Sequence, residues 1–439
     1  MHPDDPTAPR RVRRETRART ATVRILHVPA EPPALTRFEL RTEPIVVGRS
    51  PGDGGIVVPD PHASRKHATL ALRGDVLEIV DTSSDGTYVD GARVSRAEAR
   101  DGAVLRCGDS FLLFRLEDPA AGDADVEGML GTSPAIRALR ELVGELASDP
   151  CSVLLLGESG TGKELVARGL HELSDRDGRF VAINCAAIPE HLAESALFGH
   201  VRGAFTGAIA TRSGKFQQAS GGTLFLDEIG EATPAVQAKL LRAIETRTVV
   251  PVGGVREIRC EVRIVAATLR ELESAIEGGS FRGDLHARLA DVVVQLPPLR
   301  ERREDILPIL AAALAPRAPR LDPELVAALL AHRWPYNVRE LLKIATELRV
   351  RGGARGSLEH SLVAARLPAA GSPPTTHDAS DDDAPAPDEE PSSAPRAEPT
   401  RDELAALFAH HQGNVSRIAR ALGYSRRHAR RFLEQHGLR

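Results

Sequence analysis

The chain has 439 residues, with 57 Lys and Arg against 61 Asp and Glu for a net charge of −4; 42% are hydrophobic and 27% charged. That balance excludes wholesale disorder, and the length fits about three domains. No apolar run approaches the roughly 18 residues of a membrane span, and the Arg-rich start lacks an apolar h-region, so the chain reads as cytoplasmic.

In chain order, residues 1–22 read as a flexible basic arm, in which Thr16, Thr20 and Thr22 sit among arginines as conceivable phosphorylation sites. Residues 23–117 hold short β-type runs: Val23–Val28, Ile45–Val47, Ala68–Leu72, Val76–Val80, Thr87–Val89 and Ser110–Leu116. Gly, Pro and Asp punctuate them, as in an all-β sandwich. Residues 128–367 alternate apolar strands with helical patterns, as in an α/β nucleotide-binding domain. Residues 368–399 carry eight Pro, eight acids and one Arg. Such a segment buries no core and reads as a disordered acidic linker. Residues 400–439 are helical in pattern, with eight Arg against three acids, a nucleic-acid footprint; so short a tail is expected to dimerise. Cys107, Cys151, Cys185 and Cys260 have no metal-ligand spacing, which argues for reduced thiols and no structural zinc.

The chemistry concentrates in the α/β region. The apolar strand Cys151–Leu156 runs into Gly157, Glu158, Ser159, Gly160, Thr161, Gly162, Lys163 and Glu164, and then into a helix. Glycines let backbone N–H groups close around a β-phosphate, and Lys163 brings a mobile charge to the β/γ oxygens. Glu164 stands where a Ser or Thr hydroxyl would ordinarily reach magnesium. A second buried strand, Thr223–Leu226, ends in Asp227 and Glu228. Asp227 suits Mg²⁺, and Glu228 suits orientation and deprotonation of an attacking water.

Together with the hexapeptide Gly203, Ala204, Phe205, Thr206, Gly207 and Ala208, these motifs resemble the AAA+ ATPase domain of sigma-54-dependent transcriptional activators over about 130–367. The resemblance implies that the hexapeptide tips a loop that touches sigma-54. It implies that Asn184 holds the catalytic glutamate in an inactive pose. Arg282 and Arg288 match fingers that reach the neighbouring subunit's γ-phosphate, which requires a ring, a hexamer in the family; the plainer alternative is a pair of surface salt bridges. Residues 296–302, Leu-Pro-Pro-Leu-Arg-Glu-Arg, match the passage into a helical lid. Thr268 falls in the strand that senses nucleotide, and Arg339 on the helix that reports it to the lid. Two residues depart from the family pattern. Leu269 replaces an amide, and Tyr336 stands where a glycine is usual, so a turn of positive φ there would be strained.

The β-region resembles a forkhead-associated (FHA) domain, on Val47-Gly48-Arg49-Ser50, Ser64-Arg65-Lys66-His67 and the run Asp81–Gly91. The resemblance implies phosphothreonine recognition, with Arg49, Ser64, Arg65 and Ser84 holding phosphate and peptide, and His67 and Gly86 shaping loops. Asp85 departs from the usual Asn. A purely structural or protein-docking domain is the alternative. The tail, through Gly413-Asn414-Val415 and Leu422-Gly423-Tyr424-Ser425, resembles a Fis-type helix-turn-helix. Ser425, Arg426, Arg427, Arg430 and Arg431 then face DNA, and Phe432 and Leu433 the core.

The expected architecture is therefore multidomain: an all-β FHA sandwich, an α/β AAA+ domain with helical lid, and an all-α helix-turn-helix. The expected function is an ATP- and Mg²⁺-dependent activator that remodels sigma-54 RNA polymerase holoenzyme from upstream DNA, dimeric or hexameric, gated by a phosphothreonine protein or Ser/Thr kinase. The alternatives are a phosphopeptide-controlled DNA-binding regulator with impaired ATPase, independent of sigma-54, and an AAA+ remodeller of another target.

Overall fold

The computed structural model describes residues 19–29, 36–117, 126–269, 272–316, 319–353 and 356–368, with isolated helical positions beyond 400. The chain divides into two units, Met1–Thr375 and Thr376–Arg439. In the second, Leu404, Phe432 and Leu433 are buried. The helix-turn-helix residues Ser425, Arg426, Arg427, Arg430 and Arg431, and Thr16, lie outside the described residues.

The sandwich comprises β1 (Thr20–His27), β2 (Arg37–Glu39), β3 (Ile45–Gly48), β4 (Ile56–Val57), β5 (Ala68–Arg73), β6 (Val76–Asp81), β7 (Thr87–Val89), β8 (Ala92–Val94), β9 (Arg96–Ala99), β10 (Val104–Cys107) and β11 (Ser110–Glu117). One sheet runs β2-β1-β11-β10-β7-β8 and the other β4-β3-β5-β6-β9. Their facing side chains, among them Val23, Val47, Leu70, Ile79, Leu105 and Phe114, form the interior. The first strand begins earlier than the sequence reading placed it. Thr20, Ala21 and Thr22 pair with Glu117, Leu116 and Arg115 of β11. Thr22 is buried and its hydroxyl donates to Glu117 Oε1 at 2.8 Å. Thr22 thus belongs to the sandwich rather than to the basic arm, and its hydroxyl is closed to a kinase. Three threonine and alanine residues beside arginines carried too little apolar signal to reveal this.

The α/β layer follows: α1 (Pro134–Ala147), β12 (Val153–Leu156), α2 (Lys163–Glu172), β13 (Phe180–Asn184), α3 (Glu190–Phe198), α4 (Lys215–Gln218), β14 (Thr223–Asp227), α5 (Pro234–Thr246), β15 (Thr248–Val249), β16 (Ile258–Arg259), β17 (Arg263–Thr268), α6 (Glu273–Glu277), α7 (Gly283–Leu289) and β18 (Val292–Gln295). The sheet β13-β14-β17-β12-β18 is parallel throughout. Burial on both faces explains why β12 (VLLL) and β17 (RIVAAT) lack alternation. Parallel strands place all their C-terminal ends, and hence any ligand, at one edge.

Arg263 opens β17 fully buried, and its guanidinium donates to the carbonyls of Ala147 (2.8 Å), Leu170 (3.2 Å) and Leu146 (2.6 Å). These are last-turn carbonyls of α1 and α2, which lack partners inside their helices and carry the negative end of the dipole. Arg263→Met keeps the stem but takes the donor from the carbonyls of Ala147 and Leu170. It is expected to cost about 3 kcal/mol, read as faster amide exchange in β12 and β17 of the full chain.

The lid holds α8 (Ile306–Leu314), β19 (Arg320–Leu321), α9 (Pro323–Ala331), α10 (Asn337–Gly352) and β20 (Ser357–Leu358). Trp334 is fully buried in it and its indole donates to Leu329 O at 3.1 Å. The turn before α10 does use positive φ, but at Trp334 (54°) and Asn337 (50°). Tyr336 sits at φ −112° with its side chain half exposed, so the strain expected there is absent.

Candidate nucleotide site and the sandwich pocket

The loop between β12 and α2 turns through left-handed backbone at Gly160 (φ 76°) and Gly162 (φ 108°). At Gly160 a Cβ would lie 2.2 Å from Tyr336 O, so the lid sits directly on the loop and only glycine fits. Lys163 is nearly buried (7% exposed) and its Nζ donates to Gly157 O at 2.8 Å. Burial pulls its pKa down, and the carboxylates of Glu228 and Asp227 pull it back up. Glu158 is clamped from the lid by Arg300 at 2.6 and 2.8 Å and by Asn337 Nδ2 at 3.1 Å. Asn337 Nδ2 also donates to Ser159 O, and Arg339 Nη1 donates to Ser159 Oγ. Thr161 Oγ1 donates back to Glu158 O at 2.8 Å. Glu164 pairs with Arg168 one turn along α2, at 2.8 Å.

Asp227 ends β14 and Glu228 follows it at φ 50°. That turn brings Glu228 Oε1 to 3.9 Å from Lys163 Nζ. Burial raises the Glu228 pKa against the opposing pull of Lys163; the N–H of Leu269 donates to its carboxylate. Leu269 therefore contributes its backbone, while its side chain is exposed. Asn184 does not hold Glu228, as the resemblance implied. Its amide donates to Asp227 Oδ2 at 3.1 Å because Asn184 and Asp227 are register partners at the ends of adjacent parallel strands. Thr268, buried at the end of β17, gives its carbonyl to Gly157 N at 3.4 Å.

The loop residues 159–164 line one cleft of about 620 Å³ with Asp227 and Glu228, while Glu158, Asn184, Thr268, Arg300 and Asn337 stand behind its lining. Lys163, Glu164, Asp227, Glu228, Arg302 and Arg339 supply its charges, and Met129, Leu130 and Leu342 part of an apolar wall. Arg302, nearly buried, donates to Thr161 O at 3.0 Å. Arg300, Arg302 and Asn337 had no role in the sequence reading; their reach to the loop depends on how the lid folds back. Arg282 and Arg288 do not line this cleft. Both are exposed on α7 or its cap, paired with Asp284 (2.7 Å) and Glu245 (3.3 Å).

The hexapeptide 203–208 forms a tight turn above the antiparallel bridge of His200 and Arg212. Gly203 N donates to Ala208 O at 2.8 Å, and both Gly203 and Gly207 have positive φ. Phe205 is 37% exposed and rests edge-on against His200, centroids 5.1 Å apart. Ile209, beside it, is 83% exposed.

In the sandwich, Arg49, Ser64, Arg65, Ser84 and Asp85 converge on one pocket of about 740 Å³ with Lys66 and His62. Ser64 Oγ and Ser84 Oγ lie 3.2 Å apart. His67 is buried; its Nδ1 accepts from Ser64 N at 3.1 Å, which leaves Nε2 to donate to Gly86 O at 3.3 Å. It shapes the pocket loops without lining the pocket. Although burial opposes it, bonds from Ser83 and Thr87 hold the Asp81 carboxyl below its ordinary pKa.

Residues 129–295 match the family described as the Sigma-54 interaction domain, and residues 45–108 match the FHA domain. The transcriptional regulatory protein ZraR of Klebsiella oxytoca is 42% identical over 308 residues, which cover 68% of this chain and 67% of that protein. The chain belongs to the family of sigma-54-dependent transcriptional regulators. Its α/β domain is an AAA+ ATPase domain of that family, preceded by an FHA-type sandwich. The anaerobic nitric oxide reductase transcription regulator NorR of Vibrio vulnificus (strain YJ016) is 48% identical over 236 residues, 52% of this chain and 46% of NorR. The chain thus spans about half the length of that curated relative. Among solved structures of the family, NtrX from Brucella abortus in complex with ATP aligns at TM-score 0.51 and 30% identity, over 70% of this chain and 69% of that one. Among the described residues no helix is long and apolar enough to cross a membrane.

Proposed function

We propose that this regulator is a cytoplasmic, ATP-hydrolysing activator that remodels sigma-54 RNA polymerase holoenzyme at promoters, with phosphothreonine signals read by its FHA domain. The observation that carries this reading is the GAFTGA turn at 203–208, with an exposed aromatic at its tip, on the same domain as a cleft holding Lys163, Asp227 and Glu228. A chain with an inert nucleotide site has no use for that combination. Binding of ATP to the relative NtrX supports the nucleotide assignment.

In this reading Lys163 binds the β/γ oxygens, and Arg339 and Arg300 hold the lid against the phosphate loop. Glu228 takes a proton from the attacking water, its basicity raised by burial. Mg²⁺, when bound, neutralises phosphate charge. The carboxylate of Asp227 at the cleft edge is hard-oxygen chemistry that fits it and would hold it, whereas Glu164 is paired with Arg168. Arg282 and Arg288, outside their own cleft, act on the next subunit of a ring, a hexamer built from dimers. The tail at 400–439, as a Fis-type helix-turn-helix, places the ring on upstream DNA through Ser425, Arg426, Arg427, Arg430 and Arg431. Arg49, Ser64, Arg65 and Ser84 take the phosphothreonine, with Asp85 beside them.

The test is ATP-dependent opening of a sigma-54 holoenzyme–promoter complex by the full chain. Opening is expected with ATP and is expected to vanish in Lys163→Ala and in Thr206→Ala, the latter with hydrolysis retained. Hydrolysis in the wild type without any opening would transfer the reading to another remodelling target.

A further inference from the structure

The FHA sandwich is seated on the ATPase through a second face of its own. Along β11, Leu112 and Phe114 point into the sandwich interior, whereas Phe111 and Leu113 lie in a different buried cluster. With Leu26 and Val104 they share that cluster with the lid residues Leu307, Leu310 and Leu325. Period-two alternation thus gives β11 one face for its own domain and one for the lid. Arg115 continues the outer face and reaches Glu304 Oε2 at 2.7 Å, whose side chain is fully buried. Arg303 answers from the lid side, donating to Asp90 Oδ1 at 2.7 Å and Gly102 O at 3.1 Å.

The seat also spans the joint between core and lid. Arg24, paired with Glu117, donates to Thr132 O at 3.1 Å, in the segment entering α1. Thr132 and Ser133 give their N–H groups to Asp305 Oδ1 at 2.7 and 2.8 Å. The sandwich therefore touches both the entry to the α/β core and the start of the lid. The stretch it grips, 300–305, is the one whose Arg300 and Arg302 hold Glu158 and Thr161 of the phosphate loop. A body packed across two parts that must move past each other resists that movement. From the other side, the docking strand is tied to the anion pocket. Asp60 Oδ2 accepts from Asp109 N (2.7 Å) and Ser110 Oγ (2.8 Å) at the start of β11, and its Oδ1 accepts from His62 N (2.9 Å), which lines the pocket.

We propose that the FHA domain is a brake seated across the core–lid joint, and that a phosphothreonine peptide in its pocket, acting through Asp60 on the β10–β11 turn, loosens this seat and frees the lid to turn over nucleotide. The proposal rests on the ATPase reading above and adds the surface, the partner and the direction of control.

The experiment uses the full chain, at a concentration where turnover per subunit no longer depends on concentration. Arg115→Ala combined with Arg303→Ala removes the polar half of the seat; Leu113→Glu, made separately, forces a charge into its apolar half. Amide exchange is followed in β11 and α8, with β5 and β6, which lie in the other sheet, as the check that the sandwich remains folded. The expected result is faster exchange in β11 and α8 together, unchanged β5 and β6, and a rise in kcat of at least about fivefold. A randomised phosphothreonine peptide pool, compared with its unphosphorylated twin, is expected to raise wild-type kcat and add nothing to the double variant. An opened seat with kcat unchanged or lowered overturns the brake. So does a wild type whose β11 and α8 exchange as fast as in both variants. A phosphorylated pool that leaves the pocket loops unprotected, or protects them without changing kcat, overturns the link from pocket to lid. A wild type that binds nucleotide but shows none of these effects leaves the ATPase reading standing; one that binds no nucleotide sinks that reading first.

Discussion

Arg282→Ala and Arg288→Ala are each expected to lower ATP turnover by roughly 10³–10⁵ while leaving nucleotide affinity within about twofold, the range for an arginine acting on transferring phosphate. The geometry separates these two quantities. Neither residue lines the cleft of its own chain, so binding there does not need them. Both are exposed, and their partners Asp284 and Glu245 are exposed carboxylates. Pairs of that kind are worth little in water and part readily when a neighbour's phosphate is offered. In the proposed ring the arginine and the cleft it serves belong to different subunits, so two inactive chains can complement each other. Mixing Lys163→Ala with Arg282→Ala is expected to restore part of the turnover, since some interfaces then join an intact cleft to an intact finger. Turnover in either arginine variant equal to wild type would reduce that residue to a surface ion pair.

Glu228→Gln is expected to cost about 10²–10⁴ in kcat, the contribution of a positioned general base, with nucleotide still bound. Its pH dependence carries more information than its magnitude. Burial raises the Glu228 pKa above the ordinary 4.5, against Lys163, which favours the carboxylate. A base is active when deprotonated, so activity is present above the raised pKa and is lost as pH falls through it. The acid limb of wild-type kcat should therefore lie above 4.5 with unit slope, and it should disappear in Glu228→Gln. A limb that persists unchanged in the variant would assign it to another group. Asn184→Ala tests the corrected contact. With its amide on Asp227 rather than on Glu228, the loss should not move that limb.

Much of this molecule was legible in its residues because the relevant forces are local. The phosphate loop needs glycine where φ is positive and the close lid admits no Cβ, and Gly160 and Gly162 announce both. The two-sided burial of β12, β14 and β17 shows as continuous apolar runs, and the acids ending β14 stand out against them. In the sandwich, Arg49, Ser64, Arg65, Ser84 and Asp85 lie in three separate loops, and the fold brings all five to one pocket, together with His62 and Lys66, which the motifs did not single out.

What the residues could not disclose depends on partners distant in the chain. Thr22 looked like part of a polar arm until β11 supplied Glu117 to its hydroxyl. Tyr336 looked strained because only the folded turn shows that Trp334 and Asn337 take the positive φ instead. Asn184 was matched to Glu228, but strand register sets it opposite Asp227. Arg300 and Arg302 read only as part of the passage into the lid, and the folding back of the lid turns them onto the phosphate loop. Above all, the sequence pattern separated the sandwich at 23–117 from the ATPase at 128–367, whereas the structure fuses them through Leu26, Val104, Phe111 and Leu113 and through Arg115 on Glu304. An alternating strand shows that both its faces are used only when something apolar or oppositely charged covers the second one. Sequence therefore determined which chemistry this protein carries, because glycines, charges and apolar runs act on their immediate neighbours. Only the tertiary structure decided how its domains bear on one another, because the hydrogen-bonded groups that meet there lie up to 213 positions apart in the chain.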